Sequence, residues 1–131
     1  MVKENDVVWL SIPYPSDDSE ETLVRIKHMY VVYHLTYDFF IITTFKPATM
    51  DLLDGKFVVL EKNILYSPVK HKSIISLKQM FRAEGVSIKD EYKTYPKPNI
   101  YSTVRDQMDN KLSAFIPEIC LISASYFNKY N

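Results

Sequence analysis

The sequence predicts an α+β protein that is mainly β: a small, strongly bent antiparallel sheet or barrel with a C-terminal amphipathic helix packed on it. Three observations lead there. Ten Tyr and seven Phe stand against two Gly, a composition that suits broad side chains on a pleated, half-buried surface. Several short apolar runs are bounded by Pro, Asn-Asp or Asp-Gly signals, as strands are. One late segment has apolar residues at helical rather than alternating spacing. The 131 residues predict a single domain, 1–131, and 47 % hydrophobic content is enough to build its core.

Residues 7–12 (VVWLSI) read as the first strand, between Asn5-Asp6 and Pro13, with Trp9 at least half buried. Residues 13–22 (PYPSDDSEET) form a loop with four acids, Asp17, Asp18, Glu20 and Glu21, and no base. It is either a solvated loop or a flap beside a site. Two β-type runs follow, 29–35 and 39–45, with Thr36-Tyr37-Asp38 between them. They predict a hairpin. Its first strand is entered through Arg25, Lys27 and His28, and its second ends in Thr43, Thr44 and Lys46.

Residues 46–54 are a connection closed by an Asp54-Gly55 turn, and 57–61 (FVVLE) are a short strand. A loop over 63–72 carries Lys70-His71-Lys72. Residues 73–82 (SIISLKQMFR) read as one strand, with Ile75, Leu77, Gln79 and Phe81 on one face and Ile74, Ser76, Lys78 and Met80 on the other; a helix is the competing reading, since the length allows either. The charged, Pro-containing stretch 89–99 is a surface connection. Over 103–116, Val104, Met108, Leu112, Phe115 and Ile116 form one apolar helical stripe. Thr103-x-x-Asp106 is its capping box, with Ser102 as the alternative N-cap. Pro117 interrupts it, and 120–127 are a last strand or a docked tail.

Composition excludes several chemistries. Glycine occurs only at 55 and 85, so there is no Gly-rich phosphate loop. One Cys and three scattered His give no zinc spacing, and no metal or cofactor is expected. Cys120 lies in an apolar run and reads as core. Asp106 and Asp109, one helical turn apart, read as solvated charge. No apolar run is long enough to span a bilayer, and the N-terminus lacks signal-peptide features, so a soluble cytoplasmic protein is expected.

A phosphate-directed constellation is left. Net charge is zero, so a nucleic-acid ligand needs a local patch. Residues 61–82 supply one, with Lys62, Lys70, Lys72, Lys78 and Arg82 against Glu61 alone. Basic groups near Tyr and Phe suit single strands, which bind through charge and stacking. RNA cleavage by the 2′-hydroxyl needs a base, an acid and a clamp for the developing phosphorane charge. The same lysines also fit an ordinary solvated surface.

Asn5-Asp6-Val7-Val8-Trp9-Leu10-Ser11-Ile12-Pro13-Tyr14 resembles the opening of the PemK/MazF toxins, a Gly-Asp-Ile-Val type start running into a strand. His28-Met29-Tyr30-Val31-Val32-Tyr33 resembles the family's Arg-Pro or His-Pro followed by an apolar strand. Ile41-Ile42-Thr43-Thr44 resembles the next strand with its terminal Thr or Ser, and residues 72–82 resemble the family's Asp-Ser-x-Ile region. Met29 stands where the family has Pro, and Asn5 where it has Gly.

The resemblance implies an SH3-like barrel, a homodimer, and a metal-independent endoribonuclease acting on single-stranded RNA and neutralised by a small antitoxin protein. The family's key Arg maps to Lys27 or His28, and its Thr or Ser to Thr43 or Thr44. Arg25, Lys70, His71, Lys72, Lys78 and Arg82 would bind the RNA. The alternative is an inactive barrel of the same ancestry that binds protein or nucleic acid.

Overall fold

The computed structural model describes residues 1–12, 27–62, 67–95 and 97–131. Arg25 and the acidic run Asp17, Asp18, Glu20 and Glu21 lie outside the described residues. The chain is an α+β protein built on a seven-stranded sheet. Its strands are β1 (Val7–Leu10), β2 (His28–His34), β3 (Asp38–Thr44), β4 (Phe57–Leu60), β5 (Ser73–Ser76), β6 (Gln79–Arg82) and β7 (Glu118–Leu121). Among the described residues three α-helices interrupt or follow them: α1 (Pro47–Leu53), α2 (Ser102–Leu112) and α3 (Ala124–Tyr130).

The hairpin is the centre of the sheet. Leu35, Thr36 and Tyr37 turn between β2 and β3, with Tyr37 at a positive φ of 62°. Met29 pairs with Ile42 and Val31 with Phe40. On its other side β3 has two partners: β6 lies along its start, where Asp38 pairs with Arg82, and β5 along its end, where Thr44 pairs with Ser73. The main path runs β1-β2-β3-β5-β4, with β6 and β7 branching from β3. All pairings are antiparallel except β6 with β7. Among the described residues the path is open, without the closing pairing that a barrel requires.

Both faces of this sheet are buried. One core gathers Leu10, Tyr30, Val32, Phe39, Ile41, Phe81 and Phe127. The other gathers Val7, Val31, Phe40, Ile42, Ile75, Leu77, Met80, Val104 and Met108. Alternate residues of β2 and β3 go to opposite cores, as the period of two requires. Helix α2 covers the second core through Val104 and Met108, and α3 joins the first through Phe127. The expected strand over 73–82 is interrupted at Leu77-Lys78. The break reverses the alternation: Ile75 and Leu77 share a core with Met80, while Phe81 belongs to the opposite one.

Two helical expectations are corrected. Residues 46–54 are not a plain connection but hold α1, which has Pro47 at its start and ends at Asp54 (φ 49°) and Gly55 (φ 74°). Helix α2 stops at Leu112, four residues before the expected end, and its N-cap is Tyr101, which makes no side-chain cap hydrogen bond. Ile116 precedes Pro117, a position where helical dihedrals are disfavoured, and it is 89 % exposed.

Charged side chains tie the helix and the hairpin together. Arg105 donates to the Tyr33 carbonyl and Asn5 Oδ1, both at 2.9 Å, and to Asp109 at 3.1 Å. Asp109 also accepts from the Tyr33 hydroxyl at 2.5 Å, so it is a docking group and not free solvated charge. Burial and the Asp109 carboxylate push the Tyr33 phenol up to about 12. Near the N-terminus, Asp6 is fully buried and accepts from the Lys3 amide at 2.9 Å, with Lys93 Nζ at 3.5 Å.

Candidate functional site

The end of the hairpin away from its turn opens into a cleft of about 790 Å³, within the usual range of ligand sites. Sheet register explains why it collects the residues that it does. Met29 opposes Ile42, so His28, one step earlier, continues the register opposite Thr43. Thr44 opposes Ser73, and the next backbone bond, Phe45 N–H to the Lys72 carbonyl, carries the pairing past the strand end. His71 and Lys70 therefore rise from the chain just beyond β5. The Ser73 hydroxyl donates to the His71 carbonyl at 2.7 Å and fixes that bend.

His28, Thr43, Thr44, Lys70 and His71 all line this cleft. Trp9, Lys46, Thr49, Ser73, Lys93, Thr94 and Tyr95 line it too, and no Asp or Glu does among the described residues. Trp9 is 42 % and Tyr95 86 % exposed. Two aromatic faces thus stand open beside three lysines and two imidazoles. Lys93 reaches the wall because Val8 bridges to it and the Thr94 amide donates to the Val7 carbonyl at 3.0 Å.

Electrostatics separate the members. Burial lowers the His28 imidazole below its ordinary 6.5, so the ring is held neutral near pH 7. Lys93 is already engaged by Asp6 and Asp90, each at 3.5 Å. Lys46 and Lys70 make no ion pair among the described residues. Thr43 Oγ1 is buried without a hydrogen-bond partner among the described residues. Such an orphaned hydroxyl costs about 1–3 kcal/mol.

The remaining sequence candidates lie elsewhere. Lys27 sits 4.9 Å over the Tyr92 ring and is not part of the lining. Lys72 covers Phe45 at 4.3 Å and pairs with Glu61 at 3.5 Å. Lys78 is exposed in the break between β5 and β6. Arg82 is at the opposite end of β3, roughly 20 Å along the strand from Thr44. There it grips Asp38 through Nε at 2.7 Å and a second nitrogen at 3.3 Å. Asp38 is 1 % exposed and also bonds His34 Nδ1 at 2.9 Å. Burial pushes its carboxyl up, but the hydrogen bonds from Arg82 and His34 outweigh this and hold it below the usual range. Arg82 is thus tied into a buried carboxylate and not presented to a ligand.

Lys93, Trp9 and Tyr95 are the lining members that sequence reasoning missed; Lys46 reads in sequence as the end of the hairpin, without a role there. The apolar run makes Trp9 at least half buried, which its 42 % exposure fits, yet it is the one residue of VVWL that keeps an exposed face. Tyr95 lies in a stretch that reads as mere connection; an aromatic ring beside Lys93 in such a stretch was the available signal. Cys120 packs on the first core, and burial followed by Glu118 raises its thiol, which disfavours the nucleophilic thiolate. No helix of the described residues is long and apolar enough to cross a membrane. No protein-family model, curated protein or solved structure significantly matches the chain.

Proposed function

We propose that the chain is a PemK/MazF-like toxin, an endoribonuclease that binds single-stranded RNA in this cleft and cuts it without a metal ion. The observation that carries this is the lining itself: His28, Thr43 and Lys70 share one cleft with two exposed aromatic rings and, among the described residues, no Asp or Glu. Charge from Lys46 and Lys70 attracts phosphates, and Trp9 and Tyr95 offer stacking faces for bases. The neutral His28 takes the proton of a 2′-hydroxyl as that oxygen attacks phosphorus. The bond to the 5′-oxygen breaks, leaving a 2′,3′-cyclic phosphate and a 5′-hydroxyl. The hydroxyl of Thr43 or Thr44 donates to a non-bridging oxygen, and Lys70 offsets the charge that develops there.

On this reading the open sheet is a spread relative of the SH3-like barrel, the chain works as a homodimer, and a small antitoxin covers the cleft. The test is incubation of purified protein with RNA at low salt in EDTA. Fragments ending in 2′,3′-cyclic phosphate are expected, and His28→Ala should abolish them while the fold is kept. Intact RNA after incubation with the wild-type protein refutes the nuclease. If RNA still binds, the cleft is a nucleic-acid-binding module.

A further inference from the structure

The leaving 5′-oxygen needs a proton, and the cleft holds a second imidazole placed to give one. We propose that His71 is the general acid that protonates the departing 5′-oxygen, opposite His28 as base. This rests on the nuclease reading above. Of the three histidines in the chain, two, His28 and His71, line the same cleft. They come from opposite sides of β3. His28 leads into β2, while His71 precedes β5, and β3 runs between these strands.

Register sets their separation. His28 stands beside Thr43, and continuing the β3–β5 pairing past Phe45 and Lys72 puts His71 level with Lys46. Two strand spacings across and three residues along give a Cα separation of about 14 Å. Both residues line the one cleft, and a span of that order leaves room for one phosphodiester between them, as attack and departure on opposite sides of phosphorus require. Thr43 and Thr44, at the end of β3, lie between the two.

The surroundings suit a division of labour. His28 is half-buried and His71 exposed, so the two rings experience different solvation. The charged groups that share the lining with them are Lys46, Lys70 and Lys93, with no described carboxylate to act in place of either ring. The His71 carbonyl, not its ring, receives the Ser73 hydroxyl, so replacing the side chain leaves that anchor in place. In the forward step the 2′-hydroxyl proton goes to His28, phosphorus gains the 2′-oxygen and loses the 5′-oxygen, and the His71 proton caps the leaving alkoxide. Protons and charge balance without any further reagent.

The test uses the full chain and one RNA. The wild-type cut site is mapped first, and the same oligonucleotide is then made with sulfur in place of the bridging 5′-oxygen at that linkage. A thiolate leaves without protonation. His71→Ala should slow cleavage of the normal linkage by about 10²–10⁴-fold, the usual contribution of a general acid, but slow the sulfur linkage less than about tenfold. His28→Ala should slow both. His71→Gln, which keeps the size and polarity of the side chain, should behave as His71→Ala. If His71→Ala slows both linkages equally, or neither, His71 is not the acid and the nuclease reading stands without it. If the wild-type protein cuts no RNA, both fall.

Discussion

The salt dependence of RNA binding offers a quantitative check on which lysines face the ligand. Lys46 and Lys70 are the cleft lysines without ion pairs among the described residues, whereas Lys93 is neutralised by Asp6 and Asp90. If RNA occupies the cleft as proposed, two phosphates should therefore be neutralised there. Each contributes about −0.7 to the slope of log affinity against log salt on a single strand, so the slope should be near −1.4. Raising salt from about 50 to about 200 mM should then weaken binding about sevenfold. In Lys70→Ala the slope should drop to about −0.7 and the same change in salt should cost about two- to threefold. The readout is built in: Trp9 is the sole tryptophan of the chain and lines the cleft, so its fluorescence should be quenched by a bound oligonucleotide. The titration should use the His28→Ala variant, so that RNA is not consumed. A slope unchanged by Lys70→Ala would refute the placement of phosphate in this cleft. A wild-type slope steeper than about −4 would show that most of the charge contact lies elsewhere.

Two further outcomes concern the fold and its pH dependence. Met108 is fully buried between α2 and the sheet, so Met108→Ala should cost about 2–5 kcal/mol in urea unfolding; a loss below about 1 kcal/mol would mean that α2 does not depend on that contact. Burial lowers the folded His28 imidazole, so below about pH 6.5 the unfolded chain binds this proton more readily and stability falls with falling pH. His28→Gln should flatten the stability profile between about pH 7.5 and about pH 5.5, and an unchanged slope there would show that the ring is not desolvated.

Much of the hairpin was legible because its information is local. The β-rich runs, the polar turn and the alternation of Tyr30, Val31 and Val32 all lie within adjacent residues. The meeting of His28, Thr43 and Thr44 followed from it, since antiparallel register brings strand ends together. Lys70 and His71 joined the same place because β5 pairs with the end of β3, a contact that a basic cluster alone does not reveal. Arg82 was misplaced for the same kind of reason: its charge is visible in sequence, but its partner Asp38 lies 44 residues away. Helix α1 was missed because seven residues carry no full apolar stripe, with Leu52 exposed and Leu53 buried. Pro47 just inside its start and Gly55 just past its end were the usable signs. Asn5 and Asp6 read in sequence only as the boundary of the first strand, yet Asn5 accepts from Arg105 and Asp6 is buried.

The two-residue interruption at Leu77-Lys78 has a further consequence, for the route of the last part of the chain. Everything after β6 is delivered according to the side on which Phe81 emerges. Phe81 meets Tyr30 edge-on at 5.8 Å, β7 hangs on β6 alone, and Phe127 then stacks on Phe39 at 6.2 Å within that same layer. Were the chain to run through Leu77-Lys78 at its present length as one continuous strand, simple alternation would put Phe81 on the face of Ile75 and exchange it with Met80. Phe81 would then point toward the layer already filled by Met108, and the C-terminal helix would lose the aromatic bed on which it lands. The short irregularity therefore acts as a points switch, assigning two helices to opposite sides of one sheet.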